Sequence, residues 1–127
     1  MPILVKRIHD AAAPGDGCRV LVDRLWPRGL TKARAAVDLW LRELAPSTAL
    51  RQWFGHDPAR WDEFRRRYAA ELDGDGPAPA LAQLRELRAR HPVLTLLYAA
   101  RDPEHNNAVA LRAWLEAAGH RAPPPAP

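Results

Sequence analysis

Three short segments hold the residues best suited to chemistry. Asp23, Arg24, Leu25, Trp26, Pro27, Arg28 and Gly29 run consecutively. They put a carboxylate, two guanidinium groups and an indole on a turn whose shape Pro27 and Gly29 restrict. Guanidinium groups bind phosphate and carboxylate oxygens bidentately. Arg24 and Arg28 are therefore a candidate anion clamp, with Asp23 beside them and Trp26 as an apolar wall. The second segment runs from Tyr98 to Asn107 (YAARDPEHNN). Arg101 lies there beside an expected helix start, where free N–H groups favour an anion. Asn106 extends the same polar rim, while Asp102 and Glu104 compete for that helix end. The third is Gly55, His56, Asp57 and Pro58. His56 is the natural general acid or base, because imidazole titrates near neutrality. Asp57 would orient it, or would cap the helix that follows. Against an anion pocket stands a structural alternative, in which Asp23, Arg24 and Arg101 pair with one another and staple the loops.

Other chemistries find less in the inventory. No His, Cys, Asp or Glu residues show the short repeated spacing of a zinc site, so no metal is expected. Gly15, Asp16 and Gly17 are too few for a dinucleotide fingerprint, and there is no phosphate-binding loop of the Walker type. No cofactor is expected. Cys18, the single cysteine, excludes an internal disulfide and falls in an apolar run, where a thiol is usually a small buried hydrophobe. Arg65, Arg66 and Arg67 resemble a nucleic-acid patch, but Asp62, Glu63 and Glu71 are spaced to pair with them on a helix.

The chain has 127 residues and a net charge of +4. Its first 36 residues carry seven basic and three acidic side chains, so the whole excess sits in that third. A local positive field attracts anions. Seventeen of the nineteen basic residues are Arg, which suits planar contacts. No apolar run is long enough to span a membrane and no secretory leader is evident, so a cytoplasmic protein is expected.

The elements that must position these residues follow from pattern and punctuation. Ile3 to Ile8, Cys18 to Trp26 and Val93 to Ala99 read as strands, the latter two apolar on both faces. Val37 to Leu41 alternates as a strand would, although a helix also fits it. Lys32 to Ala36 is one helical turn. Ser47 caps a helix ended by Gly55. Asp57 and Pro58 open a helix with Trp61, Phe64, Tyr68 and Leu72 on one face. Leu81, Leu84 and Leu87 mark another, closed by Pro92. Asp102 and Pro103 open the last, ended by Gly119. Residues 1–119 therefore read as one α/β domain, a small mostly parallel sheet flanked by helices in Rossmann-like layering. Residues 120–127 read as a disordered Pro-rich tail. In such a sheet, ligands gather beyond the carboxyl ends of the strands, where the first two segments fall.

Several motifs in order resemble the YeaO-like proteins, small bacterial proteins of a domain-of-unknown-function family. They are Val20 to Gly29 (VLVDRLWPRG), Leu44 to Ser47 (LAPS), and Trp53 to Pro58 (WFGHDP) with Trp61, Phe64 and Tyr68 after it. Leu96 to Ala100 (LLYAA), followed by Asp102 and Asn106, completes the set. The resemblance covers about residues 3–118 and implies an α/β fold and a cytoplasmic bacterial protein. It implies no activity. Longer relatives carry a cysteine and a Cys-His-Arg triplet where this chain has Tyr98 and Asn106, Asn107 and Ala108. Thiol or metal chemistry is therefore not carried over. The function expected is a pocket for a small phosphate- or carboxylate-bearing ligand, lined by Asp23, Arg24, Trp26, Arg28, Arg101 and Asn106. His56 and Asp57 would move a proton in any acid/base step. The alternative is a non-catalytic regulatory or binding module for a nucleic acid or a protein partner.

Overall fold

The computed structural model describes residues 3–120, with the side chains of 118–120 excepted. The expected Pro-rich tail therefore lies outside the described residues from position 121 onward. Four strands form one sheet: β1 (Ile3–Arg7), β2 (Cys18–Leu21), β3 (Leu39–Trp40) and β4 (Leu94–Tyr98). Their spatial order is β1-β4-β2-β3, and every neighbouring pair is parallel. The last strand in sequence thus lies in the interior of the sheet. Its five residues are all buried, which explains its unbroken run of Leu, Thr and Tyr.

Side-chain alternation sorts the strands between two cores. Val20, Val22, Leu94, Leu96 and Tyr98 join the larger cluster, whereas Leu21 and Leu97 join the smaller one on the other face. The larger cluster receives the buried residues of α2 (Thr48–Phe54), α3 (Trp61–Leu72), α4 (Ala78–Arg90) and α5 (Asn107–His120). The smaller is closed by the four-residue helix α1 (Lys32–Ala35) and by loop residues Trp26, Leu30 and Val37. Long helices therefore cover one face, and irregular chain covers the other.

A buried ion pair occupies this second face. The Arg19 guanidinium donates to Asp16 Oδ2 at 2.5 Å, and to the carbonyls of Ala35 and Ala36 at 2.8 and 3.0 Å. Lys6 Nζ adds a contact of 3.1 Å to the same carboxylate, and Thr95 Oγ1 donates to Asp16 O at 2.6 Å. Arg19 and Asp16 are 4% and 6% exposed, so their polar groups depend on each other rather than on water.

Several expectations about element ends change. β2 stops at Leu21 rather than Trp26, because after Val22 N–H donates to Leu97 O (3.1 Å) the chain turns off the sheet. The final helix starts at Asn107, not at Asp102. Asn106 is its cap, with Oδ1 accepting from Val109 N–H at 2.9 Å and Nδ2 donating to Asp102 O at 2.9 Å. Asp102 instead closes the preceding turn by accepting from the N–H groups of Glu104 and His105. That helix also runs one residue past Gly119. Asp57 caps a single 3₁₀ turn, Pro58–Arg60, that leads into α3.

The cap of α2 is doubly held. Ser47 Oγ accepts from Leu50 N–H at 3.1 Å, while Ser47 N–H and Oγ–H donate to the two carboxylate oxygens of Glu71 at 2.8 and 2.5 Å. Ser47→Ala should cost about 1–2 kcal/mol, measured as a lower denaturant midpoint at unchanged slope. A midpoint within error of wild type would mean that Glu71 and water replace the cap.

Candidate functional site

A cavity of about 330 Å³ opens beyond the carboxyl ends of β2 and β4, the region where parallel sheets gather ligands. The chain leaving β2 contributes Asp23, Arg24, Leu25, Trp26 and Pro27. The chain leaving β4 contributes Ala99 and Ala100, and the α5 entry adds His105, Asn106 and Asn107. Arg51 and Phe54 come from α2, His56 from the turn after it and Phe64 from α3, and Ala45 and Pro46 close the side. Phe54 and Phe64 stack with ring centroids 4.4 Å apart, and His105 meets Trp61 edge-on at 5.3 Å. The walls are thus mostly apolar, with a few polar groups aimed between them.

Asp23 is the half-buried acid of the site. Its Oδ2 accepts from Ala99 N–H at 2.9 Å and its Oδ1 from Asn107 Nδ2 at 3.0 Å. Burial pushes its carboxyl above the usual range, against the pull of those two bonds and of the Arg51 charge. Arg24 and Arg51 are exposed at the rim. Arg24 Nη2 reaches the carbonyls of Ala45 and Pro46 only at 3.4 and 3.5 Å, so most of its hydrogen-bonding capacity remains open. His105 Nδ1 lies 2.9 Å from Asp102 Oδ2. Bonds from Glu104 N–H and from His105 hold the Asp102 carboxyl below its ordinary value. An ionised carboxylate only accepts, so Nδ1 carries the hydrogen and Nε2 is left to exchange a proton. His56 stands exposed at φ 57°, in the left-handed region directly after Gly55 at φ 54°.

Of the residues singled out from sequence, Asp23, Arg24, Trp26, His56 and Asn106 line this cavity. Arg28 and Arg101 are exposed and stand outside its lining. Asp57 gives its carboxylate to Ala59 N–H at 3.0 Å and to Arg60 at 3.7 Å, not to His56. The amide of Asn106 is spent on capping, and Trp26 Nε1 donates to Leu30 O at 2.7 Å. The internal Asp23–Arg24–Arg101 network does not form; Asn107 and Ala99 take the carboxylate instead. Sequence reasoning passes over Arg51 and Asn107, and takes His105 for an exposed first-turn residue. The Asp102-to-His105 spacing of three was the one usable signal. Arg51 looks like any solvated helical arginine.

The lining holds no hydroxyl, thiol or amine nucleophile. Among the described residues, no three His, Cys, Asp or Glu side chains gather to hold a metal ion. The means available at the cavity are charge, hydrogen bonds and proton transfer. Elsewhere, Arg65 pairs with Asp62 at 2.9 Å, and Arg66 and Arg67 share Glu63 at 2.7 and 2.9 Å. Arg67 also lies 4.1 Å over the Trp53 ring. The triple-arginine run is therefore paired within its own helix, three guanidinium groups against two carboxylates. Among the described residues, no helix is long and apolar enough to cross a membrane.

Comparison with known proteins adds the family. A family model described as "Inactive DUF488-N3 subclade" matches residues 2–125. The uncharacterized protein YeaO of Escherichia coli is 42% identical over 116 residues, spanning 91% of this chain and 97% of that protein. The uncharacterized proteins Mb3100c of Mycobacterium bovis and Rv3073c of Mycobacterium tuberculosis are each 42% identical over 113 residues, or 89% of this chain and 92% of theirs. No solved structure gives a significant match. With the family model spanning nearly its whole length and these relatives matched almost end to end, the chain belongs to the YeaO-like family, in the inactive DUF488-N3 subclade.

Proposed function

We propose that this cavity binds a small anionic ligand, with Arg24 and Arg51 holding its phosphate or carboxylate. The observation that carries this is the gathering of two largely unpaired guanidinium groups and two imidazoles around one apolar cavity at the strand ends. Arg51 takes the role that spacing alone suggested for Arg28, which stands outside the lining. Binding without turnover is the favoured form of the reading. The lining offers no hydroxyl, thiol or amine to attack a substrate, and the subclade's description as inactive agrees with that. If a proton does move, His105 held by Asp102 is better arranged for it than His56, whose neighbour Asp57 is committed to a cap. A cytoplasmic setting belongs to the same proposal, in keeping with the buried free thiol of Cys18.

The test is thermal stability at constant ionic strength with phosphate, sulfate, nucleotides, sugar phosphates and small carboxylates. A ligand at about a hundred times its dissociation constant adds roughly 2.7 kcal/mol, several degrees in melting temperature. The expected result is a selective shift that Arg51→Ala abolishes. A shift that survives in both Arg51→Ala and Arg24→Ala, or no shift at all, overturns the proposal. Binding to nucleic acid that weakens steeply with salt would establish the alternative module.

A further inference from the structure

We infer that the ligand of this cavity is a zwitterion with an apolar body, of the chemical class of an apolar or aromatic α-amino acid, with its ammonium group held by Asp23 and its carboxylate by Arg24 and Arg51. The inference rests on the anion-binding reading above and adds a second charge of opposite sign.

The lining carries both signs of charge. Its only carboxylate is Asp23, half-buried, while both arginines are exposed at the opening. Asp23 forms no ion pair with any described side chain; its hydrogen-bond partners, Ala99 N–H and Asn107 Nδ2, are neutral. Each carboxylate oxygen accepts one of those bonds and keeps capacity for another. A half-buried carboxylate with no cation in contact is costly, and an entering ammonium group would reduce that cost. A plain anion does the reverse, because it brings negative charge toward an acid that has no cation in contact. The arginines alone would therefore fit a dianion, but the arginines with Asp23 behind them fit a molecule carrying both signs. Leu25 and Trp26, less buried than the stacked Phe54 and Phe64 behind them, offer the apolar surface for its body. At about 330 Å³ the cavity is at the small end for ligand pockets, sized for a single small molecule.

Three probes sharing one aromatic body separate the charges: phenylalanine with both, 3-phenylpropionate with the carboxylate alone, and phenethylamine with the ammonium alone. Calorimetric titration of the full chain at fixed ionic strength should find phenylalanine tightest, by roughly tenfold over either single-charge probe. Asp23→Asn should erase the advantage over 3-phenylpropionate. Arg51→Ala should weaken phenylalanine and 3-phenylpropionate while leaving phenethylamine unchanged. Phenylpropionate binding as tightly as phenylalanine to the wild type overturns the zwitterion and leaves the anion pocket standing. Failure of every carboxylate and phosphate removes both readings, as does phenethylamine binding tightest. The wild-type series does not depend on the Asp23 variant folding.

Discussion

Asp16→Ala should lower stability by about 3–5 kcal/mol, a drop of roughly 10–20 °C in melting temperature. The reason is the partner left behind. Arg19 is 4% exposed on a sheet face closed by loops, and its strongest contact is the 2.5 Å bond to Asp16. Remove the carboxylate and a guanidinium stays buried with two carbonyls and no counter-charge. Replacing both members by apolar residues of similar volume, Asp16→Leu with Arg19→Met, should cost far less than the single change, because no orphaned charge remains. Equal losses in the single and double variants would show that shape, not charge, dominates. The pair also sets an acid limb. Burial acts to raise the Asp16 carboxyl, but bonds from Ala13 N–H, Lys6 and Arg19 outweigh it and hold the group below its ordinary value of 3.8. A folded-state value below the unfolded one means the contribution is complete above that ordinary value. It is lost as pH falls through the lower folded one. Asp16→Ala should therefore flatten the loss of stability below about pH 4.

The second large effect lies one residue on. Gly17→Ala should cost about 3–5 kcal/mol. Gly17 sits at φ 62°, and a Cβ there would come within 2.2 Å of Val93 O and 2.8 Å of Val93 C. Neither atom is the end of a flexible side chain. Val93 O accepts the Cys18 N–H bond of 3.1 Å that starts the β2–β4 pairing, so relief of the clash must pull that pairing apart. Gly29 supplies the control. It too has a positive φ, 78°, but a Cβ there meets nothing within 4 Å. Gly29→Ala should cost only about 1 kcal/mol of backbone strain. Urea midpoints measured on both would test the contrast, and similar values for the two would rule out the clash as the cause.

Local punctuation carried much of this fold into the sequence. Ser47 and Gly55 bracket α2 as cap and stop, and the Leu94–Tyr98 run, polar only at Thr95, marks a strand buried on both faces. The chemistry-bearing segments were legible for the same reason, since strand ends are where a parallel sheet exposes its loops. What pattern could not supply is what depends on distant partners. Asp102 before Pro103 looks like a helix start, but the chain turns once more before Asn106 takes the cap. Nothing local marks Asp16 and Arg19 as a pair; the closing of α1 over them buries it. His105 reads as an exposed first-turn residue. Its place in the cavity comes from packing against Trp61, far off in sequence. Arg51 faces the site because α2 docks beside Asp23, a tertiary fact with no local trace.

The sheet order sets a timetable for folding. β1 has one neighbour, β4, and Ile3 pairs with Leu94. β2 pairs with β4 along its whole length but with β3 only at Val20 and Leu21. Until residue 98 is available, the first strand has nothing to bond with and the second has a two-residue ribbon. Almost the entire chain must be present before any sheet exists, and its first residues must wait for nearly its last. Such distant pairing makes for slow formation. Meanwhile α2, α3 and α4 have one another but not the sheet to pack against, and the apolar edges of β1 and β2 stay open to other chains. A polypeptide shortened before β4 would not be a smaller version of this protein but one without a sheet.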